Sequence, residues 1–192
     1  MNSTATLPVS NTERSPLIRL YFGRGILAIG WALAFAAGHD PLTAVALILL
    51  VVYPLIDVVS SAIDHRTMSP GFERRVTALN GAVSTLAALA LGVAGPVGGA
   101  PAVLGVFGVW AVISGAAQLI VGVHRRGPVF GKQWPTLISG GLSFLVGAFY
   151  FAQAIGPEPS LDVLSTYATG GGVFFVVQAV LLAWKSRSAA RG

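Results

Sequence analysis

The sequence predicts an all-α, polytopic membrane protein whose six transmembrane helices form three parallel helical-hairpin repeats. Of its 192 residues, 54% are hydrophobic and only 10% are charged, and it contains 24 glycines and no cysteine. A soluble globular domain carries about 25% Asp, Glu, Lys and Arg together, so this chain has too few charges for a water-facing surface. This composition excludes a soluble monomer, a disordered chain and a disulfide-stapled scaffold.

Six stretches are long and apolar enough to cross a bilayer, whose core of about 30 Å needs about 20 residues per helix. Polar residues do not alternate along these stretches, which argues for helices and against an outer-membrane β-barrel. The predicted spans are Leu20–Gly38, Pro41–Ile63, Val76–Gly95, Ala102–Val123, Trp134–Ile155 and Leu161–Trp184.

Short turns join the spans in pairs, and such turns connect antiparallel neighbours. We therefore expect one transmembrane domain over residues 17–185, preceded by a disordered cytoplasmic tail (1–16) and followed by a basic cytoplasmic tail (186–192). The expected hairpins cover about 20–63, 76–123 and 134–184.

Several residues suit helix boundaries. Ser160 is expected to cap the last helix, with Asp162 in the first turn, where a carboxylate interacts well with the helix dipole. Two pairs place an N-cap residue before a proline and should begin the second and third helices: Asp40-Pro41 and Ser69-Pro70. Two Gly-Pro pairs should end the third and fifth helices: Gly95-Pro96 and Gly156-Pro157.

The cationic residues predict the orientation. Eleven of the 12 Lys and Arg residues flank the spans on one side, and the opposite turns contain none. Cationic loops resist translocation, so both termini should be cytoplasmic. The net charge of +5 is then explained by loops facing anionic headgroups of the lipid bilayer, and no nucleic-acid partner is needed.

Segments of the chain resemble one another at a spacing of about 60 residues, which indicates an internal repeat. Each copy contains an even number of spans, so the copies share one orientation and are parallel repeats. The matching segments of the odd-numbered helices are Arg24-Gly25-Ile26-Leu27, Asn80-Gly81-Ala82-Val83 and Gly140-Gly141-Leu142-Ser143.

Three of the chain's segments, 24–29, 108–115 and 139–143, resemble the HdeD-like acid-resistance membrane proteins. Members of that family have six spans built from short hairpin repeats, and the resemblance covers nearly the whole chain from about Arg19 to Trp184. It implies a protein of the bacterial cytoplasmic (inner) membrane connected with acid or envelope stress tolerance. It supplies no catalytic residue.

Two charged residues, Arg24 and Asp57, lie at least one turn inside the predicted spans, where a charge is costly. They lie at similar depths in the two helices of the first hairpin, so we expect them to form an intramembrane ion pair. The pair is either a proton- or ion-responsive element or a lock that holds the hairpin together. We favour the lock because the corresponding positions of the other two repeats carry uncharged residues. A cleavable signal peptide is disfavoured because Arg24 interrupts its apolar region.

Other polar residues suggest a seam between the helices. Asp57, Ser61 and His65 follow i, i+4, i+8 spacing and so share one helix face. This face is either a cation path or a line of interhelical hydrogen bonds, and we favour the second. The expected seam residues are Ser60, Ser61, Asn80, Ser114, Gln118 and Gln178.

Four residues in the outer turns make a candidate pH-responsive face, although capping explains Asp40 and Asp162 equally well. They are His39, Asp40, Glu158 and Asp162.

Reactive groups for catalysis are missing from the predicted spans. None of the three histidines lies within a span, and there is no cysteine or glycine-rich phosphate loop. We therefore expect no enzyme, no metal and no cofactor. The favoured function is a non-enzymatic membrane protein that acts by helix packing, self-association or binding of another membrane protein. The alternative is a small proton- or ion-linked transporter or channel that uses the Arg24/Asp57 polar seam.

Overall fold

The computed structural model describes residues 11–124, 126 and 133–189, and over these residues helices joined by short turns are the only regular secondary structure, with no strand. Four helices are long and apolar enough to span a membrane, which confirms an all-helical protein of membrane type. The described apolar part of the first helix is Gly25–Ala36, which belongs to a helix that begins at Asn11. The helices are α1 (Asn11–Ala36), α2 (Ala44–Thr67), α3 (Phe72–His124), α4 (Trp134–Ala154) and α5 (Asp162–Ala189).

Large apolar side chains cover the outside of these helices. Leu27 is 71% exposed, Leu86 65% and Val97 82%. Apolar surface on this scale is unfavourable in water and suits contact with lipid chains.

The chain divides into two compact units. A terminal unit combines Met1–Ala36 with Leu164–Gly192, and a central unit covers Ala37–Val163. In the terminal unit α1 and α5 pack closely, because a β-carbon built on Gly172 would lie 2.8 Å from the carbonyl oxygen of Gly25. The triplet Gly170–Gly172 stays within the helix α5, and of its three members only Gly172 is in such a contact.

Helix α3 is two antiparallel legs joined at Gly99. The backbone there has φ 60° and ψ −150°, a conformation essentially confined to glycine. Ser84 and Trp110 would be about 39 Å apart along a straight α-helix of 1.5 Å rise. Their side chains instead form a 2.9 Å hydrogen bond, so the second leg returns along the first. The third and fourth predicted spans thus form a hairpin.

Contacts at the far end of this hairpin give the same register. The rings of Phe72 and His124, the first and last residues of α3, have centroids 5.0 Å apart. Residues at the same level of the two legs therefore have numbers that sum to about 195, as in the pairs Ser84/Trp110 and Phe72/His124.

Gly99→Ala should destabilise the protein by about 1–3 kcal/mol, because alanine is strained at this positive φ. The free energy of unfolding can be measured by detergent titration followed by circular dichroism. Gly71→Ala is the matched control, since Gly71 lies beside α3 with open space where its β-carbon would be. Equal stability of the two variants would contradict the prediction that alanine is strained at position 99.

Glycines at seven-residue spacing bring α3 and α4 together. A β-carbon on Gly108 would lie 2.8 Å from the carbonyl oxygen of Gly147, and one on Gly115 would lie 2.7 Å from that of Gly140. A β-carbon on Gly122 would lie 2.9 Å from Cδ2 of Leu137. The backbones thus touch at successive levels, which is the geometry of a small-residue helix interface in membranes.

Three helix boundaries differ from the predicted ones. The third span does not end at Gly95-Pro96, since helical structure continues to the kink at Gly99. The other two helices begin slightly later than expected, α2 at Ala44 instead of after Asp40-Pro41 and α3 at Phe72 instead of after Ser69-Pro70.

Local hydrogen bonds explain the late start of α2. The Thr43 hydroxyl accepts a bond from the backbone N–H of Ala46 at 3.2 Å and donates to the carbonyl of Gly38 at 2.7 Å. Thr43 is therefore the N-cap residue. The predicted end of the fifth span at Gly156-Pro157 is confirmed, because α4 ends at Ala154.

The predicted tails overlap with helices. Residues 11–16, expected to be disordered, are the first turns of α1, and residues 186–189 are the end of α5. An Asn-Thr-Glu sequence at 11–13 suits a helix start, because such residues accept hydrogen bonds from free N–H groups and interact well with the dipole. Residues 1–10 and 190–192 lie outside the described residues.

Candidate functional site

The Asp57 carboxylate is the centre of a cluster of polar side chains in the central unit. Its Oδ2 accepts hydrogen bonds from Asn80 Nδ2 and Ser84 Oγ, both at 2.6 Å. The Ser84 hydroxyl in turn accepts a bond from Trp110 Nε1 at 2.9 Å. The chain of bonds runs from α2 through the first leg of α3 to its second leg. Three helical segments are thus tied together around one carboxylate.

A second level of bonds lies one helical turn along α2. Asn80 Nδ2 also donates to Ser61 Oγ at 3.2 Å, and Ser61 is buried. The helices approach closely here because a β-carbon on Gly81 would lie only 3.3 Å from Cβ of Ser61. We refer to Asp57, Ser61, Asn80, Ser84 and Trp110 together as the Asp57 network.

His65 forms a third level, where α2 ends. Its Nδ1 lies 3.3 Å from the carbonyl oxygen of Arg74, and its Nε2 accepts a bond from Arg74 Nε at 3.2 Å. A neutral ring with the proton on Nδ1 makes both bonds at once. The i, i+4, i+8 face of α2 is therefore a line of interhelical hydrogen bonds towards α3.

At one end of the central unit α2 ends and α3 both begins and ends. We call it the arginine end because it carries Arg66, Arg74, Arg75 and Arg126. The guanidinium of Arg126 lies 5.3 Å from the ring centre of Trp134, at cation–π distance.

Aromatic rings close the Asp57 network on the side away from the arginine end. Tyr53 and Trp110 are in an edge-to-face arrangement with centroids 5.8 Å apart, and Phe107 lies 5.6 Å from Trp110. Leu91 and Leu104, beyond these rings, are fully buried. Polar side chains therefore continue from Asp57 in one direction and apolar ones in the other.

Two buried polar atoms of the central unit make no hydrogen bond in the described structure. They are Oδ1 of Asn80 and Oγ of Ser114, and Ser114 is only 6% exposed. An unpaired buried polar atom costs about 1–3 kcal/mol, so native proteins contain few of them.

The other predicted seam residues have different surroundings. Ser60 is on the exposed side of α2, and its hydroxyl bonds to the carbonyl of Ile56 in its own helix at 2.9 Å, so it does not join the seam. Gln118 and Gln178 are half-buried on α3 and α5. The side chain of Arg24 lies outside the described residues, so its pairing with Asp57 stays a prediction.

The structure brings together two of the predicted outer-face residues. His39 Nε2 lies 2.9 Å from Asp162 Oδ1, and the Ser160 hydroxyl accepts a bond from the Asp162 backbone N–H at 3.2 Å. Asp162 is thus a first-turn carboxylate of α5 that also contacts the turn after α1. Asp40 and Glu158 are exposed.

Sequence reasoning did not place Ser84 or Trp110 in the seam. Ser84 is four residues after Asn80, on the same face of its helix, and this spacing could have identified it. Trp110 lies in the segment 108–115 that carries the resemblance described above, and no sequence signal shows that its indole N–H meets Ser84.

The chemistry of the network is hydrogen bonding among fixed groups. Within the part of the chain that the structure describes, no three His, Cys, Asp or Glu side chains lie close enough together to hold a metal ion. These features define an all-helical protein of membrane type with an internal carboxylate network. No protein family, curated protein or solved structure matches the chain.

Proposed function

We propose that this chain is a non-enzymatic protein of the bacterial inner membrane, of the HdeD-like type, which supports tolerance of acid or envelope stress. It acts through helix packing and through self-association or binding of another membrane protein. In this proposal α1, α2, the two legs of α3, α4 and α5 are six spans arranged as three hairpins, and both termini lie in the cytoplasm. The one-sided distribution of Lys and Arg supports that orientation.

One observation carries the proposal: the hydrogen bonds that Asp57 accepts in the central unit come from neutral side chains of the neighbouring helix. A group that binds and releases a transported ion must exchange its partners. Here both donors, Asn80 and Ser84, lie on one leg of α3, and Trp110 holds Ser84 from the other leg. This arrangement suits a lock between helices.

The test combines survival and transport. Cells that express the chain should survive an acid shock better than cells without it, and Asp57→Asn should keep this protection, because an amide oxygen still accepts both bonds. Purified protein in liposomes under a pH gradient should give no proton flux. Loss of protection in a folded Asp57→Asn variant would refute the structural role.

A proton- or ion-linked transporter is the second candidate, and the unpaired Asn80 Oδ1 and Ser114 Oγ favour it. Such a protein would produce flux in the same liposomes, and Asp57→Asn would abolish that flux.

A further inference from the structure

We propose that the α3 hairpin contains a specific water-binding site between Asn80 and Ser114, which we call the hydration site. A water molecule there donates a hydrogen bond to Asn80 Oδ1 and bonds with the Ser114 hydroxyl. It adds a second link between the Asp57 network and the second leg of α3, one helical turn from Trp110.

The register of the hairpin places these two residues opposite each other. Ser84 and Trp110 are in direct hydrogen-bond contact across the legs. Asn80 comes four residues before Ser84, and Ser114 four residues after Trp110, so each lies one turn further towards the arginine end on the same helix face. The contact between Phe72 and His124 supports this register at the end of the hairpin.

The two atoms that make no hydrogen bond are the ones at these facing positions. Asn80 Oδ1 is an acceptor, and Ser114 Oγ can donate or accept. The orientation of the Asn80 amide is set by its two N–H bonds to Asp57 and Ser61, so its oxygen points to neither of these partners. A molecule between the legs can satisfy both atoms.

Water fits this pair of groups better than a metal ion does. Buried waters typically make about three hydrogen bonds to polar groups that would otherwise be unpaired. A cation such as Na⁺ would need a shell of several oxygens, whereas the orphaned oxygens here are one amide and one hydroxyl.

The chain allows a selective test because it contains only three asparagines, Asn2, Asn11 and Asn80. The full-length protein is labelled with ¹⁵N in its asparagine side chains and studied by NMR in phospholipid nanodiscs. A magnetisation-transfer cross-peak between bulk-exchanging water and the Asn80 amide protons is expected. Asn80→Gln assigns that signal by removing it.

Ser114→Val should abolish the cross-peak, since the isopropyl group removes the hydroxyl and occupies its space. Ser60→Val is the matched control and should keep the cross-peak, because Ser60 is exposed and bonds only to its own helix. If Ser114→Val does not fold, Ser114→Ala, which should weaken the cross-peak, serves as the second variant.

Two results would overturn the proposal. One is a folded wild-type protein in which Asn80 shows no water cross-peak. The other is an Asn80 resonance that moves when NaCl replaces choline chloride at constant ionic strength, because that would identify a cation as the occupant. Proton flux in liposomes would bear on the proposed function and leave the hydration site unaffected.

Discussion

Replacing Gly115 with alanine should destabilise the protein by about 1–3 kcal/mol, the usual cost of overpacking a close contact. The new β-carbon would lie 2.5 Å from the backbone nitrogen of Phe144 and 2.7 Å from the carbonyl oxygen of Gly140. Both are backbone atoms, so no side chain can rotate away and α4 itself must move. Unfolding by detergent titration, followed by circular dichroism, measures the loss.

The same replacement at Gly105 should have the opposite sign. Gly105 lies on the same leg of α3, and a β-carbon there would meet nothing within 4 Å. Alanine is a better helix former than glycine by roughly 0.5–1 kcal/mol, so Gly105→Ala should be neutral or stabilising. Gly140 and Gly141 on α4 provide a second pair, since only Gly140 is in close contact. If alanine changed the free energy of unfolding equally at both members of each pair, the α3–α4 interface would not have the backbone contacts described above.

The helices could be predicted from the sequence because their signal is strong. Long apolar stretches separated by Gly, Pro and charged residues have few alternatives in a bilayer. The boundaries were less accurate, as at Gly95-Pro96, because membrane helices tolerate an internal proline, so a Gly-Pro pair need not end the helix. The reversal comes at Gly99, whose positive φ is a property of the folded chain.

The helix interfaces could be predicted only in part. The contacts of α3 with α4 follow Gly108, Gly115 and Gly122 at a spacing of seven. A spacing of seven marks the side of a helix that faces one partner along its length. The sequence alone does not name that partner, so the meeting of Gly115 with Gly140 required the structure.

The candidate site, too, could be predicted only in part from the sequence. The face formed by Asp57, Ser61 and His65 was evident from periodicity, and all three make bonds to α3. Their partners depend on the register between helices, which varies with packing and loop length. The hydrogen bond between Ser84 and Trp110 joins residues 26 positions apart and follows from the reversal at Gly99.

Asp57→Leu should destabilise the protein by about 1–3 kcal/mol, because a leucine removes the acceptor of the buried Ser84 hydroxyl and one of the two acceptors of the Asn80 amide. Asp57→Asn keeps an acceptor oxygen at the same place and should lower the free energy of unfolding much less. The difference between these two variants separates the hydrogen bonds from the negative charge. Both can be measured by detergent-induced unfolding with circular dichroism.

Tryptophan fluorescence gives a local readout of the same change. Trp110 Nε1 donates to the hydroxyl that Asp57 holds, so the emission of Trp110 should shift in Asp57→Leu and remain near the wild-type value in Asp57→Asn. Ser60→Ala is the control on the same helix, because Ser60 is exposed and bonds within α2. Its stability should stay within about 0.5 kcal/mol of wild type, as is usual for surface positions. An Asp57→Leu variant as stable as Ser60→Ala would mean that the carboxylate does not hold these helices together, and the lock would have to be abandoned.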